Sequence, residues 1–167
     1  FKKENQTKSI KYIDLEKFHK KNKLSEESKK ELYERNKNVF FVEFKSFRYA
    51  DITPEKIVGN NQYDENFFKK LDIIENNLLD GQSFVEAAQN NNLKIIDIEK
   101  VNANKEDENK NKITGLSDEF FKKIYNLKSI ESSEIISVNN KYYLVELLKI
   151  EKRNKPYNDP DVQEALN

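Results

Sequence analysis

The chain has 167 residues, which is enough for one domain with a hydrophobic core, or for one domain and an appendage. Lysine and arginine together number 30, as do aspartate and glutamate, so the formal net charge is zero. The chain as a whole therefore exerts no electrostatic attraction on nucleic acid or on a membrane surface. The chain has no cysteine, which excludes disulfides and thiolate sites. No apolar run approaches the ~18 residues that a membrane span needs. We therefore expect no nucleic-acid partner and no direct membrane contact.

The N-terminal part is predicted to hold one strand and one helix. Alternation of apolar and polar residues in "SIKYIDLEKF" (9–18) predicts the strand. In "LSEESKKELYERNKNVF" (24–40), Ser25 is placed to cap a helix whose first turn carries Glu26 and Glu27 at the positive end of the helix dipole. Residues 1–40 are thus predicted to form a strand-helix segment.

The next stretch, "FFVEFKSFRYADI" (40–52), is rich in aromatic and β-branched residues and predicts a second strand. The cluster "ITPEKIVGNNQ" (52–62) follows it. Because Pro54 and Gly59 interrupt regular structure, this cluster is expected only to separate two elements.

Two helices are predicted after this break. The first is capped by Asp64, ended by Gly81 and marked by the helical spacing of Phe67, Leu71, Ile74 and Leu78. The second begins with a capping box formed by Ser83 and Glu86, and its buried side comprises Phe84, Ala87 and Ala88.

The rest of the chain predicts a strand, a helix and a hairpin. "LKIIDIEKV" (93–101) is the strand, and "NANKEDENKNK" (102–112) is expected to be a solvated loop too polar to pack. "GLSDEFFKKIYNL" (115–127) is a helix capped by Ser117. "SEIISVNNKYYLVELLKI" (133–150) is a hairpin that turns at Asn139-Asn140, since asparagine tolerates positive φ.

This element order predicts an α+β fold, in which an antiparallel sheet of about four strands is flanked by helices. We assign residues 41–152 to this domain and residues 153–167 to the start of a C-terminal linker or helix, where Asp159 would cap a helix beginning at Pro160. A single shared core is expected from Leu71, Ile74, Leu78, Phe84, Ala88, Ile124 and Leu127.

The residues for most kinds of catalysis are missing. The three glycines lie far apart, so no phosphate-binding loop is present. The one histidine, His19, lies in the lysine-rich "FHKKNK" and is interpreted as a solvated surface residue. The acidic "KEDENK" is interpreted as a solvated loop and not a metal site. We therefore expect neither a metal nor a cofactor.

What remains is a set of aromatic residues on the sheet and on the predicted helix at 115–127. Two interpretations are open: plain core packing, or a shallow apolar cleft for an extended, proline-containing peptide. The residues are Phe47, Tyr49, Phe120, Phe121, Tyr142 and Tyr143.

The chain resembles the parvulin-type peptidyl-prolyl cis-trans isomerases, especially the membrane-anchored periplasmic folding factors of Gram-negative bacteria. "LSEESKKELYERNKNVFFVEFKSFRYADI" looks like the helix, Phe-x-x-Glu link and first strand of that family. "LLDGQSFVEAAQNNNL" is similar to its Gly-x-x-Phe-x-x-x-Ala stretch. "DEFFKKIYNLKSIESSEIISVNNKYYLVELLKIE" is similar, without gaps, to its last helix and hairpin. The resemblance runs from about Leu24 to Val162 and depends on order and spacing. The matching positions in the last stretch are Phe120, Leu127, Glu131, Ser133 and Tyr142.

Three departures from the family concern its active site. Active members carry a histidine on the first strand and another on the last, whereas this chain has Tyr49 or Asp51 near the first position and Tyr143 at the second. The family's Gly-Gly-Asp-like loop before the third helix is replaced by "NKEDENKN". Phe120 is retained at the position of an aromatic residue that lines the proline pocket.

The resemblance implies a periplasmic folding factor that binds extended or unfolded client segments with weak or no isomerase turnover. The substrate-binding residues it implies are Tyr49, Phe120, Phe121 and Tyr143. It also implies that residues 1–40 belong to a chaperone module, and that the parent protein is tethered to the inner membrane through a segment outside this chain. Two alternatives stay open: a competent isomerase that uses tyrosines in place of histidines, and a non-catalytic structural module.

Overall fold

The structure is a computed structural model that describes residues 24–167. The predicted strand at 9–18 and His19 lie outside these residues. The described residues divide into two compact units, one made of 38–155 and the other of 24–37 together with 156–167. None of the helices within 24–167 has the length and apolar character needed to cross a bilayer.

The larger unit contains a four-stranded antiparallel sheet in the order β2-β1-β4-β3, which confirms the predicted α+β fold. Its central strands β1 and β4 pair along the whole of β1, with one register shift between Ser46 and Phe47. The strands are β1 (Phe41–Ile52), β2 (Ile96–Val101), β3 (Ser133–Val138) and β4 (Lys141–Asn154).

The hairpin of β3 and β4 turns where the sequence predicted. Asn139 and Asn140 both have positive φ, 51° and 60°, as a tight two-residue turn between twisted strands requires. This turn sets the register in which Val138 pairs with Lys141 and Ile136 pairs with Tyr143.

Side-chain caps begin the helices as predicted. Asp64 Oδ1 accepts from the Phe67 amide at 2.9 Å. The capping box of Ser83 and Glu86 is complete in both directions, and Ser117 Oγ accepts from the Phe120 amide at 3.2 Å. The helices of the described residues are α1 (Glu26–Arg35), α2 (Pro54–Val58), α3 (Glu65–Leu79), α4 (Phe84–Asn90), α5 (Asp118–Tyr125) and α6 (Pro160–Ala165), and a 3-10 turn spans Lys37–Val39.

The smaller unit contains α1 and α6. Its polar contacts converge on Glu26, which accepts from Lys29 Nζ at 3.0 Å and from the Tyr157 hydroxyl at 2.9 Å. Lys29 Nζ also donates to Asn167 Oδ1 at 2.6 Å. The predicted cap of α6 is present, since the Asp159 side chain accepts from the Asp161 amide at 3.1 Å.

The break between β1 and α3 is more regular than expected, because it contains the short helix α2. Pro54 occupies the first turn, where its fixed φ suits a helix and its missing N–H costs nothing. Gly59 ends the helix with a φ of 74°, and its amide donates to the Pro54 carbonyl. The residues interpreted as breakers therefore act as the start and stop signals of a helix.

The loop after β2 is also more ordered than its composition indicated. Asn102 is buried, and its side-chain oxygen accepts from the amides of Asn104 and Glu106 at 2.8 and 3.0 Å. Lys105 Nζ donates to the Leu116 carbonyl at 2.7 Å and to Asp118 at 2.8 Å. Most of residues 102–112 are exposed, as predicted, but side-chain hydrogen bonds order the loop in place of hydrophobic packing.

The two faces of the sheet carry two hydrophobic clusters instead of one shared core. Of the residues predicted for a single core, Leu71, Phe84 and Ala88 belong to one cluster, and Ile124 belongs to the other. Alternating residues of β1 enter opposite clusters, since successive strand side chains point to opposite faces. The clusters place α3 and α4 on one face and α5 on the other.

A buried lysine holds α5 on its face of the sheet. Lys45, on β1, is 5% exposed, and its Nζ donates to the carbonyls of Tyr125 and Leu127 at 2.7 and 2.8 Å. These carbonyls lie at the C-terminal end of α5, where the helix leaves its acceptors unsatisfied and its dipole favours a cation. The ammonium group also lies 4.9 Å from the centre of the Tyr125 ring.

Leu71→Ala tests the packing of α3. The side chain is 8% exposed and packs in the cluster with Phe67 and Leu144, so its truncation should lower the free energy of unfolding by about 2–5 kcal/mol. Ile73→Ala is the matched control, because Ile73 lies on the same helix and is 51% exposed. Urea titrations of both variants measure the effect, and equal midpoints for the two would show that α3 does not bury the predicted face.

Candidate functional site

Three of the four predicted binding residues meet at one end of the sheet. The ring of Tyr143 lies on the ring of Phe120, with centroids 4.1 Å apart and an interplanar angle of 28°. Tyr49 contacts Phe120 edge-on at 5.2 Å and lies 6.4 Å from Tyr143. Phe120 is only 2% exposed as a result.

The register of β1 against β4 and the position of α5 bring these rings together. Tyr143 on β4 pairs directly with Asp51 on β1, and Tyr49 is two residues earlier on the same face. Phe120 is in the first turn of α5, which crosses this face. The two residues that the sequence left as alternatives, Tyr49 and Asp51, therefore both belong to the site: Asp51 stands opposite Tyr143, and Tyr49 packs on Phe120.

These residues line a cleft of about 390 Å³. Its apolar wall is aromatic, and its remaining wall comes from the loop before α5 and from the hairpin turn. A polar rim with an aromatic base suits a peptide better than a purely apolar ligand. The lining consists of Tyr49, Asp51, Gly115, Leu116, Ser117, Phe120, Val138, Asn139, Lys141 and Tyr143.

The charge inside the cleft comes from Asp51. Within the described part of the chain its half-buried carboxylate forms no ion pair. Lys56 binds the backbone of this residue instead, donating from Nζ to the Asp51 carbonyl at 3.2 Å. Lys141 is exposed at the rim of the cleft.

The two tyrosine hydroxyls of the cleft are held in their neutral form. Burial raises the pKa of Tyr143, and the negative charge of Asp51 raises it further. Burial and the Asp51 charge raise the pKa of Tyr49 in the same way. At neutral pH both phenols therefore retain their protons and can donate hydrogen bonds into the cleft.

Phe121, the fourth predicted binding residue, does not line this cleft. It lines a separate cavity of about 380 Å³ with Lys105 and Tyr125. Its ring is 5.5 Å from that of Tyr125, and Lys105 Nζ lies 5.8 Å from its centre. Because successive helical residues are rotated by ~100°, Phe120 and Phe121 cannot both face the same cleft.

A further cavity, of about 680 Å³, lies on the opposite face of the sheet, where Arg48, Phe84 and Glu146 contribute to its lining. Two carboxylates already neutralise the positive charge of Arg48, since its Nε lies 3.4 Å from Asp97 and 3.7 Å from Glu146. We therefore place the candidate site at the tyrosine cleft, where the Asp51 carboxylate forms no ion pair with another described residue.

A second, smaller cleft of about 190 Å³ adjoins the first and shares Asp51, Lys141 and Tyr143 with it. Two of its residues, Tyr63 and Lys141, are not among the binding residues predicted from the sequence. Tyr142, which also lines it, had been interpreted only as part of the aromatic set. Alternation along β4 could have separated Tyr142 from Tyr143, but no sequence pattern places Tyr63, which comes from the segment between α2 and α3.

Comparisons with known proteins add no assignment to this geometry. No family model, no curated protein and no solved structure matches the chain. Among residues 24–167, no group of three histidine, cysteine, aspartate or glutamate side chains is placed to hold a metal ion.

The raised pKa values of the cleft tyrosines should appear in the pH dependence of stability. The folded state keeps protons that the unfolded chain releases above pH ~10, so the free energy of unfolding should fall as the pH rises past that value. The double variant Tyr49→Phe/Tyr143→Phe should show a shallower fall. Some slope should persist, because Tyr125 and Tyr157 also have raised pKa values. Urea midpoints between pH 8 and 11 measure both slopes, and identical slopes would contradict the electrostatic description of the cleft.

Proposed function

We propose that this domain is a folding factor of the parvulin-type isomerase family that binds extended or unfolded client segments with weak or no isomerase turnover. The observation that carries the proposal is the stacking of Tyr143 on Phe120 at 4.1 Å. It leaves a peptide-sized cleft beside the sheet but covers the ring that would receive a proline.

We expect weak turnover because the cleft lacks groups that prolyl isomerisation requires. A prolyl isomerase lowers a rotation barrier of ~18–20 kcal/mol, and it does so by binding the twisted amide better than the planar one. In the family that the chain resembles, an aromatic residue at the position of Phe120 lines the proline pocket. Here that residue is buried under Tyr143, and no imidazole occurs at position 49, 51 or 143.

Client binding remains feasible because the cleft and its smaller neighbour adjoin along the end of β1 and the hairpin. Their tyrosines offer flat, amphipathic surfaces on which an extended chain can lie. Affinity should be low, because a flexible segment loses conformational entropy on binding and the clefts are shallow. A periplasmic location and an inner-membrane tether in the parent protein complete the proposal, and they depend on the resemblance alone.

Two other functions each have one supporting observation. A structural module is favoured by the near-complete burial of Phe120. A competent isomerase is favoured by the two protonated phenols at one cleft, since hydroxyl donors can stabilise a twisted amide.

NMR exchange spectroscopy on a short Ala-Pro peptide distinguishes the proposed folding factor from a competent isomerase and from a structural module. The wild-type domain should accelerate cis-trans exchange little beyond the spontaneous 10–100 s process, while it binds unfolded, aromatic-rich peptides weakly. Tyr143→His alone should not restore full activity, because the first-strand position still lacks a histidine. Phe120→Leu, which retains an apolar side chain, is compared with Phe120→Ala, whose folding is checked by its urea midpoint.

Robust exchange in the wild type that both Phe120 variants lose would make the protein an enzyme and overturn the proposal. The absence of exchange and of peptide binding in the wild type would leave the structural module. Weak peptide binding without exchange is the result that the proposal predicts.

A further inference from the structure

We infer that the tyrosine cleft selects client segments that carry a cationic side chain, arginine above all, within their extended stretch. The inference rests on the proposed function and names the class of segment that the same site prefers. Its basis is the juxtaposition of the Asp51 carboxylate with the tyrosine rings that line the two adjoining clefts.

Among the described residues, this carboxylate is the only negatively charged group that lines either cleft. It is half-buried, and within residues 24–167 it has no ion pair. Its charge acts on both Tyr49 and Tyr143, so it reaches the interior of the cleft. A cation bound there would gain a charge-assisted hydrogen bond in a partly desolvated site, where such bonds are stronger than at an open surface.

The surrounding rings favour the same ligand. Tyr143 lines both clefts, and the 46% exposed Tyr63 lines the smaller one beside Asp51. Tyrosine rings attract cations to their faces, and the planar guanidinium of arginine can stack on a ring while it pairs with a carboxylate. A lysine has only a point charge and would gain less.

Two lysines near the cleft limit the preference and suggest how the backbone of the segment would lie. Lys141 is exposed at the rim that both clefts share, and Lys56 is bound to the Asp51 carbonyl. The rim ammonium is suited to a backbone carbonyl or an acidic side chain of the segment. The cleft thus offers one acceptor inside and one donor at its edge.

Two capped peptides that differ by one group test the inference: an extended Ala-Arg-Pro-Tyr segment, and the same segment with citrulline, the neutral isostere of arginine. Titrations followed by amide chemical shifts of the wild-type domain should give about tenfold tighter binding of the arginine peptide, the effect of one charge-assisted contact. Raising the salt from 50 to 500 mM should reduce this difference.

Asp51→Asn should abolish the preference, so that the arginine and citrulline peptides bind this variant with equal affinity. Asp72→Asn is the matched control, because Asp72 is an exposed carboxylate on α3 that lines neither cleft, and it should keep the full preference. Lys141→Gln provides a second test that leaves Asp51 intact. Because any contact of Lys141 with the peptide backbone is common to both peptides, removal of this cation should increase the ratio of the arginine-peptide affinity to the citrulline-peptide affinity by about two- to threefold.

Equal affinities for the two peptides in the wild type would overturn the inference and leave the proposed function standing. Retention of the preference in Asp51→Asn would overturn it as well. If the wild type binds neither peptide at millimolar concentration, the proposed function fails together with the inference.

Discussion

The pairing of β1 with β4 determines where the side chains of the cleft lie. These strands are the centre of the sheet, and each also holds an edge strand, β2 or β3. Their register places Asp51 opposite Tyr143 and directs Tyr49 to the same face. A slip of one residue would move every one of these side chains to the other face and dismantle the cleft.

Polar side chains hold α5 on that face of the sheet. Lys45 binds the carbonyls at its C-terminal end, and Lys105 binds the Leu116 carbonyl and Asp118 at its N-terminal end. Asn139, in the hairpin turn, donates to Glu119 at 2.8 Å. Because both ends of the helix are held, Phe120 is pressed between Tyr49 and Tyr143, and the geometry of the cleft follows.

Most elements could be predicted from the sequence because their signals are local. Ser83 with Glu86 and Asn139 with Asn140 mark their helix and turn without reference to the rest of the chain. The short helix α2 could not be predicted with the same ease, because proline can begin a helix as well as break one, and glycine can end a helix as well as interrupt it. The near-complete burial of Phe120 and the position of Phe121 outside the cleft could not be predicted. Both depend on how α5 packs on the sheet, where Lys45 binds the Tyr125 carbonyl, 80 residues away in the chain.

Tyr143 covers the ring of Phe120, a contact on which the proposed function depends. Nuclear Overhauser measurements between selectively labelled Phe120 and Tyr143 rings, with a soluble paramagnetic reagent added, test it most directly. We expect strong ring-to-ring contacts and Phe120 ring signals that the reagent does not broaden. If ring-to-ring contacts are absent and the reagent broadens the Phe120 ring signals, Tyr143 does not cover Phe120, because that ring is then open to solvent.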